Sequence, residues 1–214
     1  MANRSYLYTI SFDRTIRKRE NLDKVVGLSE FEYAIPLSYK LMVSQNTKLS
    51  NSFVWEYEKP IAILGDFKKG KEKLINFLDE LATKNLYDHN ELKDRIEGTK
   101  DFLNASEKNL QFSMLECGEI FEMEYDPLEE KNKELFDSIL QADKLIADFY
   151  EAVQTIEVQL KQLKAKMNDV TSKEFSTVLL ESNRNEIENL EKEKWELLGI
   201  DYWCDALYYD FGTV

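Results

Sequence analysis

The sequence predicts an α+β fold: a small mixed sheet with flanking helices, then a long antiparallel helical hairpin and an aromatic C-terminal segment docked on the body. Three observations predict it. Strand-like and helix-like stretches follow one another through residues 1–125, a heptad seam without a skip occupies the stretch after residue 126, and the last residues, "GIDYWCDALYYDFGTV", are too aromatic for a frayed end. The expected division is therefore an α+β body over 1–125 and a hairpin with its docked segment over 126–214.

Within the body, "SYLYTIS" (Ser5 to Ser11) alternates and is rich in β-formers, which predicts a first strand. A basic run, Arg14, Arg17, Lys18 and Arg19, follows in a loop. Pro36 in "AIPLSYKLM" suits the first position of a short helix whose apolar face is Leu37, Leu41 and Met42. "NSFVWEYEKPIAILGDF" predicts two strands broken by Pro60, the second wholly apolar and hence central. A helix over about Lys71–Lys84 aligns Leu74, Ile75, Leu78 and Leu81, and a less regular one runs from a cap at Asn90 to Asn104. "LQFSMLECGEIFEMEY" predicts two short strands hinged at Cys117 and Gly118.

After residue 126 the period changes. Asp126 as N-cap, Pro127 at the first helical position and Glu129 in capping-box position start a helix. Leu135, Ile139, Ala142, Ile146, Phe149, Val153, Ile156, Leu160, Leu163 and Met167 then recur at alternating spacings of four and three. Such a helix would be about 60 Å long. A break near "NDVTSKE", with a second capping box at Thr171 and Glu174, leads into a helix ending before Gly199, a natural C′ residue. Two long helices joined by a short loop fold back on each other. Counting from the turn places Leu198 opposite Gln141, which leaves the first turns of the long helix for the tail to cover. Ile200, Trp203, Leu207 and Phe211 share one face at helical spacing and would do so.

Composition narrows the function. No apolar run approaches the roughly 20 residues of a membrane span, and the N-terminus has no secretory pattern. Cys117 and Cys204 are isolated, so neither a disulfide framework nor a zinc cluster is expected, and a cytoplasmic chain is. The net charge of −13 is uneven: residues 1–100 hold 17 basic against 15 acidic residues, and the remainder 11 against 26. That field repels nucleic acid and anionic lipid and attracts basic partners, although a merely solvated acidic helix has the same composition.

The chemical motifs are weak. "GDFKKGKE" (Gly65 to Glu72) matches G-x-x-x-x-G-K between a strand and a helix, but Glu72 stands where a phosphate loop needs Ser or Thr for Mg²⁺; a capped helix start explains it better. "ECGEIFEMEYD" would set Glu122, Glu124 and Asp126 on one strand face near Glu116 and Glu119, which could hold a hard cation or do acid–base work, or simply be a wet strand face. His89, the lone histidine, cannot form a His-based metal centre, and Cys117 has no sequence sign of an activating base. The basic run has no interleaved aromatics of the kind that bind nucleic acid.

The segments "MANRSYLYTI", "VVGLSEFEYAIPLSYKLMVS", "KPIAILGDF" and "MLECGEIFEM" resemble an uncharacterised bacterial family whose members open with MANRSYLY. The resemblance covers about residues 1–126. It implies a bacterial cytoplasmic protein and carries no activity, so no functional residue follows from it.

The expectation is a non-enzymatic protein-interaction protein, most concretely an immunity protein or antitoxin that binds a basic toxin through its acidic half. Glu151, Glu157, Glu186 and Glu193 lie away from the seam and are the expected contacts, with Tyr202 and Tyr209 of the tail as a second candidate surface. No catalytic residue, cofactor or metal ligand is assigned, and neither nucleic acid nor membrane is expected as a partner. The alternatives are an enzyme built on the Glu116–Asp126 carboxylates, with or without a divalent metal, and a scaffold that dimerises through the heptad helix.

Overall fold

The computed structural model describes residues 3–123, 125–168 and 176–211. Five strands, β1 (Arg4–Ile10), β2 (Val25–Glu32), β3 (Lys48–Ser50), β4 (Ala62–Asp66) and β5 (Phe112–Glu116), form one sheet in the order β2-β1-β5-β4-β3. The α+β class holds, but every pairing is antiparallel, so the sheet is not mixed. The helices are α1 (Leu37–Met42), α2 (Phe67–Leu81), α3 (His89–Asn104), α4 (Gly118–Phe121), α5 (Leu128–Ile139), α6 (Ala142–Asn168) and α7 (Ser176–Leu198).

Strand alternation divides the sheet into two faces. Leu7, Ile63 and Leu115 enter a core shared with Leu74, Phe77 and Leu78 of α2, Phe149 and Val153 of α6, and Leu198. Tyr6, Tyr8, Ile10, Ala62, Leu64 and Met114 face the other way, into a second cluster closed by irregular chain. A Cβ at Gly70 would stand 1.9 Å from the Met42 carbonyl oxygen, so only glycine lets α2 cross α1 this closely.

Several sequence expectations need correction. Asn51 to Pro60 is irregular chain, and only the apolar half after Pro60 is a strand. Strand β2 has no clean alternation in sequence because a bulge beside Gly27 shifts its register between Leu7 and Tyr8 of β1. Beyond Cys117 the chain turns into α4, where the Cys117 carbonyl accepts from the amides of Ile120 and Phe121, so no second strand follows among the described residues. Asp88, not Asn90, caps α3, accepting from the amides of Asn90 and Glu91 at 3.0 Å.

The long helix is two helices. It starts after Pro127 without a side-chain cap; Asp126 pairs with Lys131 at 2.9 Å, and Glu129 accepts from the Tyr57 hydroxyl at 2.8 Å instead of boxing the helix start. It breaks at Leu140 and Gln141, where the Ser138 hydroxyl donates back to the Leu135 carbonyl at 2.7 Å, a local bond that bends helices. The break lets α5 lie along the sheet edge, with the Asn132 amide donating to Pro60 and Ala62 carbonyls, while α6 turns toward α1. Thr171 and Glu174 lie outside the described residues. Helix α7 ends as expected at Gly199, whose φ of 68° and amide bond to the Trp195 carbonyl at 2.8 Å close the helix.

Helices α6 and α7 run antiparallel in the same chain, joined across by Lys164–Glu191 at 3.0 Å and Lys194–Glu157 at 2.5 Å. The end of α7 therefore stands beside Phe149 and Ala152 rather than Gln141. The tail leaves α7 as an extended strap, not a helix. It is bonded step by step: Ser38 to the Gly199 carbonyl (2.7 Å), Ser29 to that of Tyr202 (2.6 Å), the Trp203 indole to Thr99 (2.9 Å), and Tyr8 to the Tyr209 carbonyl (2.9 Å). It crosses the β2 edge of the sheet, where Leu207 lies over Gly27, and ends on the second face with Tyr209 and Phe211 against Tyr6, Tyr8, Phe53 and Trp55.

Candidate functional site

The heptad seam turns its apolar residues inward. Phe149, Val153, Ile156, Leu160 and Leu163 are buried, and the opposite faces of α6 and α7 carry acidic residues outward. Glu151, Glu186 and Glu193 are exposed. Glu157 is half-buried and holds the buried Lys194 ammonium, which lies 4.5 Å over the Tyr87 ring while the Tyr87 hydroxyl donates to the Lys194 carbonyl at 2.8 Å. Its charge is committed to joining the hairpin to the body. Of the four glutamates, three form the free acidic surface and one is structural.

The two tail tyrosines part company. Tyr202 is 45% exposed, its ring edge-on to Phe31 at 5.1 Å. Tyr209 is half-buried with its ring 5.2 Å from Tyr6 and 5.9 Å from Trp55, inside the second aromatic cluster.

The carboxylates of 116–126 do not converge. Glu116 points into the second cluster and is fully buried; one oxygen accepts from the Phe53 amide at 3.0 Å and the other has no partner. Burial pushes its pKa up to about 8, against the opposing pull of the loop's hydrogen bonds and the Arg14 guanidinium. Glu119 accepts from the Arg4 amide at 2.9 Å and the Tyr6 hydroxyl at 3.1 Å. Glu122 is exposed in a turn, Asp126 is paired with Lys131, and Glu124 lies outside the described residues. Among the described residues no group of three or more His, Cys, Asp or Glu could hold a metal ion.

The remaining motifs have structural tasks. Asp66 caps α2 by accepting from the Lys69 amide at 3.0 Å, so the phosphate-loop look-alike is a helix start packed on α1. Burial pushes the Cys117 thiol well above its ordinary value, the opposite of an activated nucleophile. His89 is exposed at the start of α3. The basic run closes the second face: Arg14 donates to the Ser52 carbonyl at 2.9 Å, Arg17 pairs with Asp23, and Arg19 reaches the Phe211 carbonyl at 3.4 Å. Nothing in the linear sequence brings residues 14–19, 52 and 211 together. Lys40, unmarked by any motif, lines a groove beside α6.

An antiparallel sheet with helices packed on one face and an acidic hairpin extending from them defines an α+β protein with a helical appendage. The chain belongs to the family described as Domain of unknown function (DUF7822), whose model matches residues 14–162, well over half of its length. The match begins in the basic run and continues into α6, past the end of the N-terminal resemblance near residue 126. No curated protein and no solved structure matches the chain.

Proposed function

We propose that this is a non-enzymatic protein-interaction protein of the bacterial cytoplasm, an immunity protein or antitoxin that binds a basic partner through the acidic face of the α6–α7 hairpin. One observation carries the proposal: the apolar seam is buried within the chain while Glu151, Glu186 and Glu193 stay exposed on the half with the acidic excess. A surface of that kind steers a basic protein to itself and screens with salt, over about 8 Å at 0.15 M. Glu151→Lys, Glu186→Lys and Glu193→Lys together should leave the fold intact, remove the basic partner from pull-downs of native extract, and flatten the salt dependence of its association rate. An unchanged set of captured proteins rules this surface out and turns attention to Tyr202.

A second reading, acid–base chemistry, is favoured by Glu116 alone. A carboxyl near pKa 8 with an unpartnered oxygen is the type of group that general acids use. A catalytic activity of the purified protein that is lost in Glu116→Gln while the fold is kept would move the assignment to an enzyme.

A further inference from the structure

A groove of about 740 Å³ lies between the β2–α1 connection and the α6–α7 hairpin, within the range of small-molecule sites. Its wall is apolar: Ile35 and Leu37 on one side, Leu145, Phe149, Ala152 and Leu197 on the other. Lys40 also lines it. The Lys40 side chain is half-buried, and among the described residues its ammonium has neither an ion pair nor a hydrogen bond. The ammonium still meets solvent, but it is partly desolvated and has no counter-charge within the described residues, and burial pulls Lys40 below its ordinary pKa.

The other charges of the groove are largely answered within the protein. Glu32 pairs with Arg4 at 2.7 Å, Asp148 with Lys144 at 2.6 Å, and Lys192 with Glu196 at 3.0 Å. What is missing is one anionic group against Lys40. The carboxylates among the lining residues, Glu193 included, disfavour a polyanion such as a nucleotide, and the apolar wall disfavours a small hydrated anion. Tyr33, held at φ 60° and 58% exposed, is a further lining residue and a backbone outlier of the kind that clusters at ligand sites.

We infer that this groove binds an apolar monocarboxylate, with its head on the Lys40 ammonium and its hydrocarbon body against Leu145, Phe149 and Leu197. Lys40 is on α1, outside the acidic face, but Glu193 lines the groove as well as belonging to that face, so the ligand test is made on the protein alone, without the hairpin's partner.

The probes are decanoate, decan-1-ol and decyltrimethylammonium, titrated calorimetrically into the full-length protein. Decanoate should saturate one site at least about 10-fold more tightly than decan-1-ol, the difference expected of one charge-assisted hydrogen bond. The cation should bind no better than the alcohol. Lys40→Met should abolish the preference for decanoate while leaving decan-1-ol binding unchanged, and Lys40→Arg should retain it. Because Lys40→Met removes an unpaired charge, its melting temperature should not fall, which separates loss of binding from loss of fold. Ala152→Trp, which fills the groove, should remove binding of both neutral and anionic chains. The inference is overturned by the absence of saturable decanoate binding, by decan-1-ol binding as tightly as decanoate, or by a preference that survives Lys40→Met.

Discussion

Phe149, Val153 and Leu198 share a cluster with Leu7 and Leu115 of the sheet, whereas Leu160 and Leu163, further along the same seam, are nearly as buried yet belong to neither core cluster. The Lys194–Glu157 pair, docked on Tyr87, marks the changeover from base to tip. At the base, α6 is a wall of the body's core; beyond it, α6 has its antiparallel partner. One repeating sequence signal thus serves two purposes. Its first half holds the fold together, and its second half carries the hairpin beyond the body; of the exposed glutamates, Glu151 and Glu193 stand at the base and Glu186 beyond it.

Val153→Asp breaks the base. A charge placed at a fully buried position in the shared core should cost about 4 kcal/mol or more, read by urea unfolding. A well-folded monomer made by this variant from a dimeric wild type would mean that the seam pairs between chains. The next largest effect belongs to the body. The pKa of Glu116 is raised on folding, so the folded state holds its proton longer than the unfolded chain, and stability should fall as pH rises from about 4.5 to about 8. The slope is at most about 1.4 kcal/mol per pH unit. Glu116→Gln should flatten that slope and make the variant relatively more stable at the alkaline end; an unchanged profile would show that Glu116 ionises normally.

Leu163→Ala tests the tip. It should cost about 2 kcal/mol, the low end for a core truncation, because two helices with little else around them can close the gap. A cost as large as that of a base truncation would erase the contrast. The exposed Lys164–Glu191 bridge has the smallest effect: Lys164→Ala should change stability by no more than about 0.5 kcal/mol.

The heptad seam was legible because period alone declares it, and every described seam residue from Leu135 to Leu163 is at least partly buried. The break at Leu140 was not legible, because the apolar residues stay in phase across it, and the Ser138 hydroxyl that returns to the backbone there makes the kind of bond that Thr155 makes inside unbroken α6. The alternation of "EIFEMEY" mimicked a strand, yet Gly118 and the Cys117 carbonyl start a helix there. In the tail, Ile200, Trp203, Leu207 and Phe211 imitate a helix, but their chain is bonded to Ser29, Thr99 and Tyr8, partners so remote in sequence that no local period encodes them. The free glutamates could be named in advance from their phase against the seam. Glu157 stands next to the seam residue Ile156, on the flank of the seam rather than opposite it as Glu151 does, and Lys194 meets it there in space. Lys40 had no signal at all: its interest lies in the partner it lacks.

Native-state hydrogen exchange along α6 tests the division of the hairpin most directly. Amides around Val153 should exchange only with global unfolding, and those from Lys161 to Lys166 through a local opening of clearly lower free energy. A single free energy of exchange for the whole of α6 would contradict it, and the hairpin would then be one cooperative piece of the core with no separate tip.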